Sequence, residues 1–240
     1  MKKEELIEQV LQAIYPRRCP ICHDIVQPKG ELVCRSCADK IQPVREPRCM
    51  KCGKPLEREE QEYCTDCNEH GHVFDEAAGI FLYDKTLSAS LMKCKYGGRR
   101  EYLDHYGQMM VRYGKTYISR WRPQALVPIP LHKSQMRRRG FNQSAHLAHA
   151  MGRVFKIPVQ EHMLEKVKKT RQQKELDMGA RRQNIKGAFS VGKDPEPCER
   201  ILLVDDVYTT GSTVDEAARC LKRAGCGEVY VLTLCIGKGF

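Results

Sequence analysis

The stretch ILLVDDVYTTGST, residues 201–213, runs four aliphatic residues into two adjacent acids and then into hydroxyl side chains around one glycine. The aliphatic run predicts a buried strand over residues 201–204. The acids and hydroxyls predict a loop over 205–212. Beyond them the spacing predicts a helix from about Thr213 to Ala224 ended by Gly225, and a second strand, Glu228–Ile236. Together these form a βαβ unit, and the parallel sheet it implies is normally covered on both faces.

A strand, a small-residue loop and a helix start make an anion site. Backbone N–H groups point outward there, and the helix dipole adds positive potential. Thr209, Thr210, Ser212 and Thr213 supply hydroxyl donors, and Gly211 lets the backbone come close. This set suits a phosphate monoester. Asp205 and Asp206 do not suit phosphate; they suit sugar hydroxyls. The stretch therefore asks for a ligand with a phosphate at one end and a vicinal diol nearby. A ribose 5-phosphate meets both demands.

The chain has 240 residues, room for one substantial core and a smaller module. Eight of its 13 cysteines form CxxC pairs: Cys19/Cys22, Cys34/Cys37, Cys49/Cys52 and Cys64/Cys67. Eleven residues separate the pairs inside each half, and the second half repeats the first at an offset of thirty. Each CxxC turn presents two sulfurs to one ion, and two turns complete a tetrahedral thiolate site. The pattern implies two structural Zn2+ sites, with iron admitted by spacing alone. Repetition favours sequential over cross-brace pairing. His23, His70 and His72 lie near the knuckles but are not needed as ligands. Few large apolar residues lie between 16 and 70, so metal supplies most of the folding energy there. The expected organisation is an N-terminal helix with two knuckles over 1–72, then an α/β domain over 73–240. The N-terminal helix puts Leu6, Val10, Leu11 and Ile14 on one face. It lacks the apolar centre of a signal peptide, and no apolar run approaches the ~20 residues of a membrane span, so a cytoplasmic protein without membrane insertion is expected.

Charge is unevenly placed within a net +11. Residues 1–70 hold 12 Lys/Arg and 13 Asp/Glu, whereas 93–193 hold 23 and 6, a net of +17. Such a concentration favours a polyanion. Lys93, Lys95, Arg99, Arg100, Arg137, Arg138 and Arg139 are the nucleic-acid-binding candidates. Tyrosines at 83, 96, 102, 106, 113 and 117, with Trp121, are interleaved with this charge and suit base stacking, although most are expected in the core. The same region predicts a strand over 73–83, helices over 85–95, 101–117 and 143–155, and a strand over 125–130. His146 and His149 are expected on a helix surface. The highly charged centre of residues 166–189 predicts a mobile loop.

VDDVYTTGST is similar to the phosphoribosyl pyrophosphate (PRPP) motif of type I phosphoribosyltransferases: aliphatic residues, two acids, two variable positions, Thr-Thr-Gly and a hydroxyl. No lysine comes after the glycine, unlike a Walker A loop. Over nearly the whole chain, the order of cysteine knuckles, KYGGR, VPIPLHKSQMRRRGFNQS, KTRQQKEL, RRQNIKGAF and the PRPP motif resembles the ComF family. That resemblance implies a phosphoribosyltransferase-like parallel sheet flanked by helices, behind a zinc-finger module. It implies a role in DNA uptake during natural transformation, with single-stranded DNA, PRPP and a competence helicase as partners. It also assigns residues. Lys133, with Arg137–Arg139, would meet the diphosphate. Lys168, in a loop over 168–174, would close on the leaving group. Asp205 and Asp206 would hold the ribose, and Mg2+ would enter with PRPP. Displacement at C1 through an oxocarbenium-like state is the implied chemistry. A salvage phosphoribosyltransferase with a nitrogen acceptor, or a PRPP-sensing regulator, would share the site. No general base and no base-specific pattern is visible in the sequence.

Overall fold

The computed structural model describes residues 14–41, 43–170, 183–192 and 198–238. The expected N-terminal helix falls almost wholly outside them. Strands β1 (Glu76–Leu82), β2 (Ala125–Pro128), β5 (Arg200–Tyr208) and β6 (Glu228–Ile236) form one parallel sheet in the order β1-β6-β5-β2. Two short strands, β3 (Leu164–Lys166) and β4 (Phe189–Val191), pair antiparallel beside it. The sequence predicted only a loop there. Its ends are pinned by this pairing, and its centre, 171–182, lies outside the described residues.

Helices α1 (Arg35–Ala38) and α2 (Thr65–Glu69) belong to the two knuckles. Further helices are α3 (Lys85–Tyr96), α4 (Tyr102–Trp121), α5 (Lys133–Arg139), α6 (Gln143–Phe155) and α7 (Ser212–Arg223). Helix α4 runs past the expected end at 117 because Tyr117 and Trp121 still pack on the core. It stops where Arg122 turns left-handed, ahead of Pro123. The larger correction concerns β5. It does not end at Val204 but continues through both acids, pairing Asp205 with Thr233 and Val207 with Cys235. The expected loop over 205–212 shrinks to residues 209–211. Buried acids are tolerated inside the strand because side-chain donors from α6 reach them.

Alternate residues of the buried strands feed two cores. Leu202, Val204, Leu232 and Leu234 face α3, α4 and α6. Ile201, Leu203, Val229 and Val231 face α7 and, beside it, the second knuckle, whose Cys49, Cys52 and Cys64 share that core. The second knuckle thus covers sheet surface that α7 leaves open. It also closes the outer edge of β1, where Ala77 N–H donates to Lys51 O at 2.8 Å, and the segment leading into it adds Val44 N–H to Ile80 O at 2.7 Å. The approach is backbone on backbone: a Cβ at Gly53, φ +73°, would lie 2.6 Å from Ala77 O. The first knuckle keeps its own small cluster of Cys19, Ile21, Val26, Cys34 and Cys37. It touches α4 through Arg17–Asp104 at 3.0 Å and through His23, stacked on Tyr102.

Candidate functional site

The cysteines gather in sequence order. The sulfurs of Cys49, Cys52, Cys64 and Cys67 all lie within 4.8 Å of one another, as do those of Cys19, Cys22 and Cys34. The Cys52–Cys64 and Cys22–Cys34 separations are 3.5 and 3.9 Å. A tetrahedron with Zn–S of about 2.3 Å requires sulfurs ~3.8 Å apart, so the donors fit Zn2+. Cys37 is buried in the same cluster as the first three, where burial and the Cys22 thiol push its own thiol up. In the second site, Cys52 and Cys67 are pushed up by the neighbouring Cys49 sulfur, while S–H donation from Cys52 and Cys64 holds Cys49 down. Four sulfurs this close share one negative charge poorly; a dication turns all four into ligands. The two four-cysteine clusters therefore fit two structural zinc ions. No histidine enters either cluster among the described residues.

The second candidate site is a cleft of about 240 Å³ at the C-terminal end of β5, where ligands of parallel sheets bind. Asp205 and Asp206 lie in its floor, 8 % and 4 % exposed. The GFNQS segment explains how they tolerate burial. Asn142 caps α6, its Oδ1 accepting from Ser144 N–H at 3.1 Å, and its Nδ2 donates to Ile129 O at 3.0 Å. That fixes the first turn of α6 against the end of β2. Ser144 Oγ then donates to Asp205 Oδ1 at 2.7 Å, and Gln143 Nε2 to Asp206 Oδ1 at 3.3 Å. Lys95, at the end of α3, pairs with Asp206, and Arg139 donates to Gln143.

These contacts split the two acids. Burial and the Asp206 charge push Asp205 up to about 7. Burial also opposes the Asp206 charge, but Lys95 overcomes it and holds that carboxyl below its ordinary value. The Lys95 ammonium is raised in return, against its own burial. Lys166, on β3, also lines the cleft; burial lowers its ammonium despite the pull of Asp205. The outer wall is Tyr83, Met92 and Tyr96.

The hydroxyl loop divides between two spaces. Thr209 and Thr213 line the cleft. Thr210 and Ser212, hydrogen-bonded to each other at 2.8 Å, line a neighbouring cavity of about 730 Å³ with His72, Lys186 and Arg219. Gly211 is the N-cap of α7 at φ +75°, and a Cβ there would strike the Tyr208 hydroxyl. His72 sits between Asp66 of the second knuckle and Asp215 of α7, at 3.8 and 3.5 Å.

The remaining candidates are scattered around these sites. Lys95 was expected on a nucleic-acid surface; it lies inside the cleft because Asp206 draws it there. Lys133 begins α5 and is exposed, while Gln135 and Arg139 of the same helix line the cleft. Lys168 is exposed with Nζ 3.5 Å from Lys186 O, and residues 171–174 of its expected loop lie outside the described residues. Lys93, Arg100, Arg137 and Arg138 are exposed, and Arg99 is partly so. His146 and His149 are tied to Asp104 and Glu161. Gln143, Ser144 and Lys166 were not singled out from the sequence. GFNQS carried a capping signal, Asn before a helix, but nothing local showed what the helix start would face.

Residues 10–68 match the double zinc ribbon domain. Competence protein F of Haemophilus influenzae is 41% identical over 111 residues, 45% of this chain and 48% of that protein, so the chain spans about half of its length. The DNA utilization protein YhgH of Escherichia coli is 31% identical over 156 residues, 64% of this chain and 68% of the relative. The chain belongs to the ComF family. The ComF relative in Bacillus subtilis, competence protein ComFC, is 29% identical over 147 residues, 61% of this chain and 58% of that one. In this ComF chain no helix among the described residues is long and apolar enough to cross a membrane.

Proposed function

We propose that the chain is a competence protein that handles single-stranded DNA and holds PRPP with Mg2+ in the cleft beyond β5. The observation that carries this is the pair Asp205 and Asp206, buried and hydrogen-bonded next to a hydroxyl-bearing helix start. The acids accept from the 2- and 3-hydroxyls of ribose. Thr209, Thr213 and the first N–H groups of α7 take the 5-phosphate. Lys95, Arg139 and Lys166 offset the charge of the diphosphate. Mg2+ supplies further neutralisation of that charge when it enters with PRPP. The names of the relatives, competence protein and DNA utilization protein, support the cellular role. The net +17 of residues 93–193 supports DNA as the polyanion.

Calorimetry tests the cleft. Magnesium-loaded PRPP gives heat with the wild type and none with Asp206→Asn; a silent wild type overturns the reading. Anisotropy of a labelled single-stranded oligonucleotide tests the second half, with log K falling linearly as log salt rises.

Pyrophosphate release from PRPP, screened over nucleobases, separates transfer from binding alone.

A further inference from the structure

Two basic turns far apart in the chain meet on one aromatic ring. The first, 96–100, is YGGRR and closes α3; the second, 137–141, is RRRGF and closes α5. Across them, the guanidinium groups of Arg138 and Arg139 lie 5.0 and 5.1 Å from the Tyr96 ring centroid, and Arg100 lies 5.2 Å from that of Phe141. Tyr96 is 45% exposed. Its companions in the same basic stretch are not available: Tyr102, Tyr106 and Trp121 are at most 2% exposed, and Tyr83, Tyr113 and Tyr117 pack partly against the core. Tyr96 is therefore the most exposed ring of that set, with the exposed Arg138 and the half-buried Arg139 against it. Lys93, Arg100 and Arg137 of the same two turns are exposed as well.

The same ring lines the cleft that holds Asp205 and Asp206. Arg139 joins the two regions. It donates to Tyr96 Oη at 3.1 Å on one side and to Gln143 on the other, and Gln143 holds Asp206. The buried Arg139 Nε has no hydrogen-bond partner among the described residues, although it belongs to a side chain that lines the cleft. An unsatisfied guanidinium N–H in a cleft calls for an anion.

We infer that a single-stranded nucleic acid docks with one base stacked on Tyr96 at the mouth of the cleft in place of the exposed Arg138 guanidinium, its phosphates on Lys93, Arg100, Arg137 and the displaced Arg138, and that it competes with the phosphoribosyl ligand for Arg139. This rests on the proposed function and adds the place where the two ligands meet. A single strand is the fitting partner because an unpaired base exposes its face to the ring, whereas a duplex buries it. Two anions that share one guanidinium weaken each other, and the weakening is reciprocal.

Anisotropy of a labelled deoxythymidine oligonucleotide on the full chain at low salt tests this, with thermal melting as the folding control. Tyr96→Leu weakens the strand roughly fivefold to 150-fold, the range of one base–aromatic stack. Tyr96→Phe keeps wild-type affinity, since the ring and not the hydroxyl carries the contact. Saturating magnesium-loaded PRPP weakens the strand at least about fivefold, and Arg139→Gln removes that linkage. An unchanged Tyr96→Leu, a strand that PRPP leaves alone or tightens, or a duplex that binds as well as the strand overturns the inference. If calorimetry and anisotropy show both ligands bound independently, the competition fails and the proposed function stands. If neither ligand binds the folded chain, both fail.

Discussion

Lys95 and Asp206 form an ion pair at the floor of the cleft, joining the end of a helix to the end of a strand more than a hundred residues later. The Asp206 side chain is 5% exposed and that of Lys95 18%. Two charges this deep hold each other ionised, and the raised ammonium and lowered carboxyl are the two sides of that balance.

Breaking the pair exposes its cost. Lys95→Met leaves the buried Asp206 carboxylate without its ion-pair partner, held only by Gln143, and lowers stability by about 3 kcal/mol, the lower end for a buried pair because Lys95 keeps a partly wet end. Adding Asp206→Asn restores most of the loss. Urea midpoints at an unchanged slope measure both.

Asp205 sets a pH dependence. Its folded value of about 7 lies above the ordinary 3.8, so between those values the folded chain keeps a proton that the unfolded chain has released. The stabilisation from this group is complete below about pH 4 and is lost as pH rises through 7. Asp205→Asn removes that slope. The variant melts higher than the wild type at pH 8, and the advantage disappears at pH 4.

Metal removal separates the two ribbons. Cys52 shares a core with the sheet, whereas Cys34 sits in a cluster of its own. Cys52→Ser therefore lowers the melting temperature of the α/β domain far more than Cys34→Ser does. Elemental analysis reads about two zinc ions per wild-type chain and one in each variant.

The seam between ribbon and sheet has no room for a side chain. A Cβ at Gly53 meets Ala77 O at 2.6 Å and Ala78 Cα at 2.8 Å, at a φ that favours glycine. Gly53→Ala costs at least about 2 kcal/mol by strain and overpacking. Gly30→Ala, at φ +93° with nothing within 4 Å, costs less; chemical denaturation compares them.

Local spacing alone made much of this protein legible. The interval inside and between the CxxC pairs announced two cysteine clusters and favoured sequential order, because a knuckle needs only neighbours in the chain; the tertiary structure decided it by gathering Cys49, Cys52, Cys64 and Cys67 in one place and Cys19, Cys22 and Cys34 in another. The aliphatic-acid-hydroxyl order around Asp205 announced a βαβ unit, although it did not show that β5 continues through the acids, since that depends on β6 beside it. Other features were not local. Lys95 reads as one more basic residue until α3 delivers it to Asp206, and GFNQS reads as a helix start until its Gln143 and Ser144 reach both carboxylates. The role of the second ribbon as a cover for one sheet face was equally invisible. Such pairings join segments that no periodicity relates. Only packing around a common core decides which of them meet.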